Sequence, residues 1–120
     1  MSPSLPDFLR HISDECNYLI QLQKGKTRDQ LLEDETYKRA IARSLEVIGE
    51  AVKKLDEDFR SKYPQIEWKK IARTRDVMIH HYFGIDYDIV WEIMTERIEP
   101  LRDYVLEIIA GLGRTGDVDK

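Results

Sequence analysis

Tyr37-Lys38-Arg39-Ala40-Ile41-Ala42-Arg43-Ser44-Leu45-Glu46-Val47-Ile48-Gly49-Glu50-Ala51-Val52 is the stretch whose pattern decides the fold. Tyr37, Ile41, Leu45, Ile48, Val52 and, just beyond, Leu55 recur at helical spacing, with Ala40 and Ala51 beside them. That is one apolar stripe on a long helix, and Asp34 stands ahead of it as a cap. A helix with one apolar stripe must bury it against others, and the rest of the chain supplies them. On the N-terminal side, Ser4 caps a first helix with Pro6 in its opening turn, and Phe8, Ile12, Cys16, Leu19 and Ile20 continue until Lys24-Gly25. Thr27 caps a short second helix over residues 28–32.

On the C-terminal side, the polar segment from Asp56 to Tyr63 runs into Pro64 and is expected to be a helix end followed by a loop. A fourth helix begins near Ile66, carries Trp68, Ile71, Ala72, Met78, Ile79 and Tyr82, and ends at Gly84. A fifth, capped by Asp86 or Asp88, runs through Ile89, Ile93, Ile98 and Val105 to Ile108, with Pro100 set to kink or divide it. No segment has strand periodicity. The expected architecture is all-α: a four- to five-helix antiparallel bundle over residues 1–110, with residues 111–120 a flexible tail.

Composition narrows the function classes. The single cysteine, Cys16, excludes an internal disulfide or a cysteine-based zinc site and fits a small core residue in a reducing compartment. With no basic start or apolar core at the N-terminus, the chain is expected to be cytoplasmic, with no membrane association. Net charge is −4, yet from Arg60 to His81 six cations (Arg60, Lys62, Lys69, Lys70, Arg73, Arg75) face two acids, Glu67 and Asp76. Positive charge is gathered in one region, where it would steer a polyanion.

That region holds Arg75-Asp76-Val77-Met78-Ile79-His80-His81-Tyr82. A guanidinium clamps phosphate bidentately, an imidazole moves protons near neutral pH, and a phenol orients or donates. Arg75 falls on the apolar side of its helix, where an arginine needs a partner. At 100° per residue, Arg75 and Tyr82 lie within about 20° of each other, whereas His80 points about 140° from Arg75. One regular helix aims both at one phosphate only if the arginine bends round, the helix deforms, or a second copy contributes across a two-fold axis.

Arg75-x4-His80-x-Tyr82 resembles the R-x4-6-H signature of HEPN-domain ribonucleases. The flanking text is similar to the HepT toxin family: Trp68 ahead of the motif, His80-His81-Tyr82-Phe83-Gly84-Ile85-Asp86 after it, Ile89-Val90-Trp91 beyond, and the helix Ala40 to Ala51 before it. The resemblance covers about residues 7–109. It implies a homodimeric all-α ribonuclease acting without metal or other cofactor in a cleft between protomers, with Arg75 and His80 catalytic. It also implies a partner, an MntA-type nucleotidyltransferase antitoxin that inactivates the toxin by AMPylation of Tyr82. Asp76 stands where an asparagine is more usual in that family. There it could orient or charge the histidine as part of the catalytic set, but it would also repel RNA phosphate.

Lys69, Lys70, Arg73 and His81 are the expected RNA-binding residues, with a plain solvated helix face the alternative for Lys69, Lys70 and Arg73. His80 is favoured as the working histidine because it completes H-x-Y, although R-x5-H would admit His81. Blander readings stand beside these: Tyr82 as a core aromatic, His11 as a structural histidine, and Trp68, Trp91, Met78 and Met94 as core or dimer contacts. Asp34, Glu35, Asp56, Glu57 and Asp58 sit at helix ends and fit capping better than metal binding. The alternative function is a non-catalytic subunit that binds substrate for, or acts as scaffold to, a nucleotidyltransferase.

Overall fold

The computed structural model describes residues 4–80 and 86–112, with the backbone alone for 77–80. Every regular element among them is helical: α1 Leu5–Gln23, α2 Arg28–Leu32, α3 Glu35–Lys54, α4 Glu57–Ser61, α5 Trp68–His80, α6 Tyr87–Glu92, a π-helical turn Ile93–Arg97, and α7 Ile98–Gly111. The long helices are ordered α5, α3, α1, α7 across the bundle, with α1 and α3 at its centre.

The boundaries follow from side-chain chemistry. Ser4 and Asp7 form a reciprocal capping box at α1, and Pro6 fits the first turn because no intrahelical N–H is needed there. Gly25, at φ +69, ends α1 in the left-handed region that a side chain would strain. Thr27 and Gln30 make the same box at α2, and Asp34 accepts from the backbone N–H groups of Thr36 and Tyr37 to start α3.

Two segments depart from expectation. Residues 56–63 are not simply a helix end and loop, because Asp56 caps the short helix α4 through the Phe59 amide. Periodicity is silent over so short a span, and α4 is held by an aromatic anchor instead. The Phe59 ring lies 5.1 Å from Tyr63 and 6.2 Å from Trp68, while the Trp68 indole N–H is shared between the carbonyls of Arg60 and Tyr63 at 3.0 and 3.1 Å. The expected fifth helix is divided into α6, the π turn and α7. Pro100 is the third residue of α7, and the π turn just before it relieves the clash its ring would cause in a continuous helix. The expected stop at Gly84 and most of the C-terminal tail lie outside the described residues.

The core is continuous through all the long helices and is built from Leu9, Ile12, Leu19, Ile41, Leu45, Ile48, Val52, Met94, Val105 and their neighbours. Polar ties lock its rim. Gln23 donates to the Met94 carbonyl at 3.0 Å, Arg102 donates to Asn17 at 3.0 Å, and Arg97 pairs with Glu67 at the start of α5. No helix among the described residues is long and apolar enough to cross a membrane.

Cys16 is fully buried, and burial pushes its thiol up to about 12, so almost no thiolate exists near neutrality. Thiol reagents should leave native protein unmodified at mildly alkaline pH and label it at once in denaturant. Rapid labelling of the native protein would contradict this core.

Candidate active site

Helix α5 turns Trp68, Ile71 and Ala72 into the core, and all three are buried. Arg75 is the next position on that stripe and meets α3 at Gly49. A methyl group on Gly49 would lie 2.8 Å from Arg75 Cβ and 3.0 Å from its backbone nitrogen. The missing side chain therefore lets two backbones approach more closely than any other residue would allow. Arg75 begins in this contact and ends at the surface, with its side chain 31% exposed.

The cost of an arginine on the apolar side is met by carboxylates. Arg75 Nε lies 3.6 Å from Glu50 Oε1, and its Nη1 lies 3.9 Å from Asp76 Oδ1. Lys53 Nζ donates to Asp76 Oδ1 at 2.8 Å. Glu50, Arg75, Asp76 and Lys53 thus alternate in sign across the α3–α5 seam. Both Arg75 separations are longer than hydrogen bonds, so the guanidinium is steered without being saturated. The repulsion expected of Asp76 toward phosphate is offset by Lys53.

The backbone of α5 is regular α-helix through His80, so the site shows no helix deformation between positions 75 and 80. Asp76, four residues before His80, lies within about 40° of it on the helix. Because Nη1 of Arg75 reaches to the Asp76 side, the guanidinium has bent from the core face toward the flank carrying position 80. Lys69 and Arg73 are exposed and lie within about 20° of position 80 on the same helix. Lys70 is also exposed and is paired with Glu67 at 3.3 Å. That pairing, with help from Arg97, holds the Glu67 carboxyl below its usual range. The side chain of His80, and all of His81 and Tyr82, lie outside the described residues. Trp68 and Met94 are core residues, Trp91 is half-buried, and His11 is exposed.

Reading the sequence singled out Arg75 but missed Gly49, Glu50 and Lys53 as its setting. The signal was a glycine flush beside the apolar stripe of a long helix, followed at once by an acid. No group of three or more His, Cys, Asp or Glu side chains among the described residues is placed to hold a metal ion.

The family model for ribonuclease HepT-like proteins matches residues 12–108, a span that contains α3, α5 and the whole motif. The chain belongs to the ribonuclease HepT-like family. Among relatives of this HepT-like chain, a protein of Methanocaldococcus jannaschii named as an RNase is 50% identical over 91 residues, covering 76% of this chain and 75% of the relative. One of Caldanaerobacter subterraneus subsp. tengcongensis, also named as an RNase, is 45% identical over 102 residues, covering 85% and 91%. A Thermococcus cleftensis protein named as a ribonuclease HepT is 34% identical over 102 residues, covering 85% and 93%. No solved structure matches the chain.

The Gly49 contact is directly testable. Gly49→Ala must separate α3 from α5 or displace Arg75, and overpacking of this kind costs about 1–3 kcal/mol. Urea unfolding should show a lower midpoint, while an unchanged midpoint would show that the helices do not meet at this distance.

Proposed function

We propose that this HepT-like chain is a metal-independent endoribonuclease acting as a homodimer, with Arg75 and His80 as its catalytic pair. The observation that carries the reading is the Arg75 guanidinium, rooted at Gly49 and held at the surface between Glu50 and Asp76, in a member of a ribonuclease family.

The chemistry asks little more. The ribose 2′-OH attacks the adjacent phosphorus as its proton passes to a base, and the P–O5′ bond breaks as the leaving oxygen takes a proton. The products are a 2′,3′-cyclic phosphate and a 5′-OH. His80 performs one of the proton transfers. The Arg75 guanidinium stabilises the extra negative charge of the pentacoordinate phosphorane. Asp76, balanced by Lys53, sits one helical turn from His80, where it can orient the imidazole. Lys69, Lys70, Arg73 and His81 bind flanking phosphates. Regular α5 geometry keeps positions 75 and 80 on different flanks, so a cleft shared by two protomers supplies the convergence that the bent arginine only begins.

Biologically, the reading is a cytoplasmic toxin whose partner, an MntA-like nucleotidyltransferase, silences it by AMPylation of Tyr82. A bulky anionic group beside Arg75 and His80 would fill the cleft and occupy its cations.

Expression of the chain alone should arrest bacterial growth with RNA breakage, and His80→Ala or Arg75→Ala should each abolish both. In purified protein, His80→Ala should lower the cleavage rate roughly 10²–10⁴-fold. Equal tolerance of all three proteins would sink the enzyme and favour a scaffold for the nucleotidyltransferase. Mass spectrometry of protein made with the partner should find AMP on Tyr82, and a neutralised complex with unmodified Tyr82 would refute that arm.

A further inference from the structure

A second feature adjoins the Arg75 site. Between α1 and α3 runs a shallow cleft of about 150 Å³, faced by Phe8 and His11 from α1 and by Arg43, Val47, Glu50 and Lys54 from α3. Glu50 belongs to both places, facing this cleft while its carboxylate meets Arg75 Nε. The cleft and the guanidinium are therefore continuous across one side chain.

We propose that this cleft is a subsite for single-stranded RNA, holding nucleotides next to the scissile phosphate; it rests on the ribonuclease reading. Its chemistry is what such a strand needs, a flat apolar or aromatic face for a base and cations for the backbone. Phe8 is half-buried and His11 exposed, so they present ring surface from a fixed helix. Arg43 and Lys54 are exposed on α3, eleven residues and therefore about 16 Å apart, with Glu50 between them. A strand crossing Arg75 passes within about one helical turn of Lys54 and two turns of Arg43.

Two acids lie beside it, and neither holds a cation tightly. Glu50 meets Arg75 only at 3.6 Å, longer than a hydrogen bond. Glu46 approaches Arg43 only to 3.8 Å, and the arginine side chain is 77% exposed, so that pairing yields readily to a phosphate. The volume is too small to enclose a nucleotide, which favours an open stacking ledge over a mononucleotide pocket.

The test uses full-length His80→Ala protein and a fluorescein-labelled single-stranded oligoribonucleotide, with affinity read by anisotropy over a range of salt. Arg43→Glu and Lys54→Glu should each weaken binding about tenfold. Each should also flatten the dependence of log Kd on log salt by roughly 0.7, the loss of one phosphate contact. Lys24→Glu, a charge-matched change some 20 Å along α1 from His11, should leave that slope unchanged. Phe8→Leu should weaken binding roughly tenfold without altering the slope, as loss of stacking does.

Unchanged slopes in the Arg43 and Lys54 variants, or an equal fall in the Lys24 variant, would overturn the subsite. Loss of a co-purifying protein partner in those variants, with RNA binding intact, would overturn it too and assign the cleft to that partner. Cleavage assays with His80 intact, on the protein alone and with each charge reversal, keep the readings apart. Absent cleavage with cleft-dependent binding defeats only the catalytic reading, and cleavage indifferent to both charge reversals defeats only the subsite.

Discussion

Two helix backbones pressed together at Gly49 and Arg75 are the constraint on which the site depends. Helices normally stand apart by the width of their side chains, and a glycine at the crossing removes that spacer. The arginine opposite is thereby rooted in the core. Its long apolar stem follows the α3–α5 seam outward, and its charged head emerges where Glu50 meets it. A rooted stem loses much of the rotameric freedom that makes a surface arginine a diffuse charge, so the charged head is held in one place on the surface.

Electrostatics around this head are local by construction. Lys53 and Asp76 cancel one another within hydrogen-bonding distance, and Glu50 balances Arg75 at a longer separation. A phosphate can displace the weaker of these contacts, whereas the tighter one stays as framework. The exposed cations of α5 and α3 then lie outside the quartet, where they do not compete for the Arg75 carboxylates.

The rest of the fold holds α5 in place. Its first turn is pinned by the Trp68 indole on the carbonyls of Arg60 and Tyr63 and by Arg97 reaching from the π turn to Glu67. Pro100 is the origin of that second clamp. By interrupting a regular helix it forces the wider turn in which Arg97 sits, and Gln23 closes the same turn from α1 through the Met94 carbonyl. A single proline thus links the division of the last helix to the anchoring of the helix that carries the motif.

Local chemistry determined much of this protein before any packing was known. The caps at Ser4, Thr27, Asp34 and Asp86, the stop at Gly25 and the stripes on α1 and α3 need only neighbouring residues, so the all-α bundle was legible from spacing. Arg75 stood out because a cation on an apolar face is anomalous in one dimension. Packing alone decided the remainder. Helix α4 exists through aromatic contacts with residues beyond it. Glu50 and Lys53 became partners of Arg75 and Asp76 only when α3 crossed α5. The α1–α3 cleft joins residues some 32 to 46 positions apart in the chain. Periodicity reports which face of a helix is apolar, but not which other helix that face will meet, because that choice is made by the shapes of both surfaces at once.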